Sequence, residues 1–177
     1  MCIHVIESHQ EDGLGLPYPV TVRYGTLEGR EPDGTVGTST RDLEGMVWAI
    51  AVRRCLEPCR MSGGEVRFMR HVMDMTQARL AAALGLGALE TVNRWERMPG
   101  SRARPPVEKL LRFLVLSSCV RATVTMQDLQ DLARMELLPN DGRVPRIVAT
   151  AVPEQPLPGQ GTTYRVTLQV EETQCPT

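Results

Sequence analysis

Residues 75–97, MTQARLAAALGLGALETVNRWER, set two short helical patterns on either side of a glycine, and no other part of the chain restricts the fold as much. Thr76 is a good N-cap residue, and Leu80, Ala81 and Leu84 follow at helical spacing, which predicts a helix over 77–84. Gly85 suits the left-handed residue that ends such a helix. A further helix is expected from about 89 to 97, with Val92 and Trp95 on its apolar side. Leu80, Leu84, Leu86, Val92 and Trp95 are the positions that two steeply crossing helices need for a shared core. Ala81 is small where helix meets helix.

The surrounding sequence extends this helical block. Ser62 and Glu65 form a capping-box pattern that opens a helix over GGEVRFMRHVM, with Val66, Met69 and Met73 on one face. After an extended basic loop at 97–106, an apolar helix is expected at 106–120 and an amphipathic one at 125–138. Residues 18–29 alternate Val20, Val22 and Tyr24 against polar neighbours, as a strand does, and a short strand is expected near 36–40 beyond a turn at 31–37. A helix from about 43 to 56 should end before Pro58. RIVATAV (146–152) and TTYRVTLQV (162–170) read as a hairpin with a long loop. The first ten residues read as a disordered tail in preference to a metal site of Cys2, His4 and His9. The expected class is therefore α+β: a central all-α domain at 61–120, an N-terminal β-containing module at 1–60, and a helix plus β-hairpin at 121–177.

Composition narrows the function. The net charge is only −1, yet residues 61–119 hold nine Lys/Arg against five Asp/Glu, and the segments on both sides are acidic. A basic middle third is what a phosphate-binding module requires. Five scattered cysteines are an odd number and no disulfide framework, so a reducing compartment is expected, with Cys55 and Cys59 as ordinary thiols. Apolar runs such as FLVL at 113–116 are too short to cross a bilayer, and MCIHVIESHQ has no signal-peptide character. A soluble cytoplasmic protein with no membrane partner is expected. His4, His9 and His71 form no recognisable catalytic or metal constellation, and GLG at 13–15 and 85–87 lacks the context of a phosphate-cradling loop. Neither an enzyme nor a cofactor is expected.

Thr76, Gln77, Leu80, Ala81, Gly85, Leu86, Thr91, Val92, Arg94, Trp95 and Glu96 resemble the helix-turn-helix pattern of the XRE/Cro/λ-repressor family. The flanks, GLPYPVTVRYG and DLEGMVWAIA ahead of MSGGEVRFMRHVMDMTQARLAAALG, are similar in order and spacing to MqsA-type (YgiT-type) regulators and antitoxins. There are two departures. The paired Cys-x-x-Cys sites of that family are missing, with Glu31, Pro32 and Asp33 where one is expected, so the zinc-finger-derived module should fold without metal. Gly85 and Val92 are also seven residues apart, where the family has six.

The resemblance implies a five-helix λ-repressor-like domain in a homodimeric regulator that reads a double-stranded DNA operator, most simply an autoregulating repressor. For the flanking segments it leaves two roles, binding a toxin as a further protein partner, or dimerisation and response to another partner in a stand-alone regulator. Counted back from Trp95, the base-facing positions are Leu89, Glu90 and Arg94; counted forward from Gly85, they begin at Gly87 and Ala88. Thr91 and Asn93 complete the set on the same helix. Gln77 matches the family residue that bonds a backbone phosphate, and Arg97, Arg102 and Arg104 suit further phosphates. Glu96 reads as a structural bonding residue, and Arg67 and Arg70 as a solvated face. The alternative is a protein-interaction module that keeps the fold without binding DNA.

Overall fold

The computed structural model describes residues 3–30, 35–40, 42–98, 100–119, 124–139, 146–153 and 164–171. It is α+β and divides into two compact units. Glu31–Asp33, Cys2, Cys175 and the hairpin loop at 154–163 lie outside the described residues.

The first unit takes residues 1–14, 18–50 and 144–177. Its sheet contains β1 (Ile3–Glu11), β2 (Val20–Arg30), β3 (Val36–Thr40), β4 (Arg146–Pro153) and β5 (Tyr164–Glu171), in the order β1-β2-β4-β5 with β3 also on β2. β1 runs antiparallel along almost all of β2. On the other side of β2, β3 covers Thr26–Arg30 antiparallel, while β4 covers Thr21–Arg23 in parallel. The two meet at a bulge where β1 pairing steps from Ile6↔Thr26 to Ser8↔Arg23, so that Glu7 faces both Tyr24 and Gly25. Tyr24 takes a left-handed φ of 57° there, as the first residue of a bulge can. Val20, Val22, Ile147, Ala149 and Ala151 are buried, as are Met46 and Ile50 in the first turns of α1 (Leu43–Cys55).

Two expectations change here. Residues 3–11 are a full strand, because the edge of β2 offers a partner that no local pattern announces. Within that strand His4 and His9 are an odd number of residues apart and point to opposite faces. Segments 1–60 and 121–177, read as separate modules, contribute strands to one sheet, and β4–β5 is the antiparallel hairpin expected.

The second unit takes residues 15–17 and 51–143. It holds the last residues of α1 and then α2 (Gly63–Val72), α3 (Gln77–Ala83), α4 (Leu89–Arg97), α5 (Pro105–Ser118) and α6 (Met126–Arg134). Four of these helices fall between 61 and 120 among the described residues. The capping box at Ser62 and Glu65 is formed, and Thr125 with Asp128 makes a second one on α6. Helix α3 ends as its sequence requires: Gly85 adopts φ 65°, its N–H bonds Ala82 O, and the Leu86 N–H bonds Ala81 O. The same closure ends α2 with Asp74 in the left-handed position. Helix α6 stops at Arg134, four residues short of the expected end. The chain leaves it so that Leu138 can pair with 58–60, giving to Pro58 O at 2.9 Å and accepting from Arg60 N at 3.0 Å.

Ions as well as Phe68, Met69, Leu80, Leu111, Val115 and Leu132 fill the core of this unit. Arg112, fully buried, donates to Glu108 at 2.9 Å, to Cys55 O at 2.9 Å, to Cys59 O at 2.7 Å and to Glu57 O. Glu108 also accepts from Met61 N at 2.8 Å and from Arg60 at 3.2 Å. Arg54 pairs with Glu65 and shares Cys59 O at 2.9 Å. Carbonyls of the turn after α1 accept from two guanidinium groups in place of helix or sheet N–H donors. Burial beside this network pushes the Cys55 thiol up to about 12, against the pull of Arg112 and Arg54. No helix among the described residues is long and apolar enough to cross a membrane.

Candidate nucleic-acid interface

Helices α2, α3 and α4 are tied together by one polar chain. Arg70 on α2 grips Glu96 on α4 with two bonds, at 2.7 and 3.1 Å, and reaches Met75 O in the α2–α3 turn at 2.9 Å. Gln77, the first residue of α3, donates to Glu96 at 2.8 Å and accepts from Asn93 on α4 at 3.2 Å. Glu96 is thus structural, as its sequence position suggested. Arg70 is not on a solvated face: it is 9% exposed, because a helix-to-helix carboxylate needs a planar two-toothed partner.

The Glu96 carboxyl shows two opposed influences. Burial works to raise its pKa, but hydrogen bonds from Arg70 and Gln77 and the charges of Arg70 and Arg67 hold it below the ordinary 4.5. A lowered folded-state pKa adds stability that is fully present above the ordinary value and is lost as pH falls through the lowered one. Glu96→Gln should therefore be less stable than the native chain at neutral pH, and the gap should narrow below pH 4.5 in urea melts followed by circular dichroism.

With Val92 and Trp95 buried, the opposite side of α4 is open. Leu89 is 44% exposed, and Glu90, Arg94 and Arg97 are exposed in step along the helix. Thr91 and Asn93 are half-buried at its margin, Asn93 with its amide on Gln77. Ala88 is the exposed N-cap residue and makes no side-chain cap bond. Gln77, half-buried, keeps one amide N–H beyond the bond to Glu96. Arg102 is half-buried in the loop after α4, and Arg104 is exposed at the start of α5. Among the described residues, Arg94, Arg97, Arg102 and Arg104 have no hydrogen-bond or ion-pair partner. Between 61 and 119 the acids Glu65, Glu96 and Glu108 are consumed internally, so of the acidic residues there only Asp74 and Glu90 are left to offset those arginines.

The far end of α4 is fixed by backbone contact. A Cβ on Gly63, at the start of α2, would lie 2.0 Å from Trp95 O, so only glycine lets these two chains approach. Gly63→Ala must part α2 from α4 and should cost about 1–3 kcal/mol in a urea melt, with the slope unchanged. Beside this contact lies a cleft of about 230 Å³ between the first turn of α2 and the α4–α5 loop.

The Arg70–Glu96–Gln77–Asn93 chain, Arg54 and Arg112 were missed by pattern reading. One sign was present: Arg112 interrupts the apolar run KLLRFLVL, where a lone cation needs an internal partner. No protein-family model, curated protein or solved structure matches the chain.

Proposed function

We propose that this protein is a dimeric, sequence-specific DNA-binding transcriptional regulator whose second unit contains a λ-repressor-like helix-turn-helix domain at 61–120. In this reading α3 and α4 are the paired helices, and α4 enters a major groove. The observation that carries it is the open side of α4: Leu89, Glu90 and Arg94 exposed on a helix braced from behind, with unpaired arginines beyond it. Arg94 bonds guanine O6 and N7, Glu90 accepts from cytosine N4, and Leu89 packs on a thymine methyl. Ala88, Thr91 and Asn93 border these contacts. Gln77 uses its remaining amide N–H on a phosphate, and Arg97, Arg102 and Arg104 neutralise further phosphates. One nine-residue helix reads few bases, so two subunits on half-sites about one helical turn apart are required. Repression of its own promoter is the simplest mode. In the antitoxin version of this reading, the sheet unit takes a toxin as its protein partner.

Fluorescence anisotropy with a duplex from the protein's own upstream region, against a scrambled duplex at two salt concentrations, tests the proposal. Tighter binding to the native duplex, weakened by salt, supports it. Equal binding to both duplexes, followed by no enriched site in a genome-wide selection, sinks it. The exposed Leu89 beside Glu90 favours one second reading, a protein-interaction module; there, Arg94→Ala leaves partner capture unchanged.

A further inference from the structure

We infer that the cleft between the first turn of α2 and the α4–α5 loop is a seat for a phosphoryl group. Its walls include Gly64, Trp95, Arg97, Ser101 and Arg102. Arg97 and Arg102 come from opposite ends of the loop, and neither side chain has a partner among the described residues, so two arginines of uncommitted charge line one concavity. Guanidinium forks match phosphate oxygens in pairs, which a ring of hydroxyls alone would not do.

The acid in the wall does not oppose this. Glu96 lines the cleft, but its two carboxylate oxygens are already held by Arg70 and Gln77. The walls therefore carry two unneutralised cations and no unneutralised anion. Size agrees with the chemistry: about 230 Å³ lies below the roughly 300–1,000 Å³ of pockets that enclose drug-sized ligands, and suits a phosphoryl group with a few waters. Ser101 and Gly100 of the loop and the first-turn residues Gly63 and Gly64 of α2 line the same cleft. Two sources offer this chemistry, the backbone of DNA and a small phosphorylated molecule.

The test uses the full chain and inorganic phosphate, titrated against chloride at constant ionic strength, with amide and indole shifts followed by NMR. Saturable shifts at Gly64, Gly100, Ser101 and the Trp95 indole are expected, together with about tenfold weaker binding in the Arg97→Ala/Arg102→Ala variant. Both arginines are unpaired, so the variant should keep the native spectrum of α5 and α6, which checks its fold. Non-saturating shifts spread over Arg67 and Arg79, or shifts indifferent to the double substitution, overturn the seat. Phosphate that competes with duplex DNA assigns the seat to the DNA backbone; phosphate that binds without competing assigns it to a small molecule. Loss of DNA binding with phosphate binding intact would count against the regulator proposal alone, and the reverse against the seat alone.

Discussion

Glu108→Gln should lower the free energy of unfolding by about 3–5 kcal/mol, the largest loss expected of any single change in the second unit. Glu108 is 1% exposed and is the carboxylate partner of both Arg112 and Arg60, so its neutralisation deprives the buried Arg112 and the half-buried Arg60 of the carboxylate they share. A urea melt should show a lower midpoint, and the stretch around 55–61 should lose hydrogen-exchange protection first. Many buried ion pairs can be exchanged for apolar side chains at little cost, but this one should resist. Arg112 also donates to Cys55 O, Glu57 O and Cys59 O. A Glu108→Leu/Arg112→Met chain removes the charges of this pair yet orphans Cys55 O and Glu57 O, and should remain less stable than the native protein. A double variant of native stability would contradict this account.

Arg94→Ala carries the largest expected effect on function. A two-toothed contact to guanine gives roughly 1–3 kcal/mol of discrimination, so affinity for the specific duplex should fall about 5- to 150-fold while the scrambled duplex changes little. Arg94 has no partner among the described residues, so circular dichroism and the urea midpoint should not move. Arg104→Ala should behave differently, weakening both duplexes alike and flattening the salt dependence. If Arg94→Ala weakens both duplexes equally, Arg94 touches phosphate and the assignment of α4 to the bases fails.

What could be read from the sequence was whatever short-range chemistry decides. Ser62 with Glu65, Thr76, and Gly85 fix helix ends through bonds spanning a few residues, so α2 and α3 begin, and α3 ends, where those residues place them. The bounds of α4, Leu89–Arg97, coincide with expectation because Val92 and Trp95 share one side of a single short helix. Long-range pairing was hidden. Nothing in IHVIESHQE marks it as a partner of β2, and nothing in RIVATAV says that it lies parallel to Thr21–Arg23, well over a hundred residues away. The early end of α6 has the same origin, since Leu138 gives up helical bonds for strand-like ones to 58–60. In the candidate interface, exposed Arg94 and Arg97 were legible from periodicity, whereas Arg70 looked like their equal until Glu96 was found opposite it.

The parallel pairing of β2 with β4 imposes an order on synthesis. Residues 51–143 are complete in the emerging chain before Ile147, Val148 and Ala149 have been made, so the helical unit can close while the sheet still waits for its fourth and fifth strands. During that interval the Thr21–Arg23 edge of β2 is bare, with Val20 and Val22 beside it, and a bare apolar edge pairs readily with another nascent chain. A ribosome stalled before residue 146 would thus release a product able to fold its arginine-bearing helices yet prone to aggregate through its sheet strands.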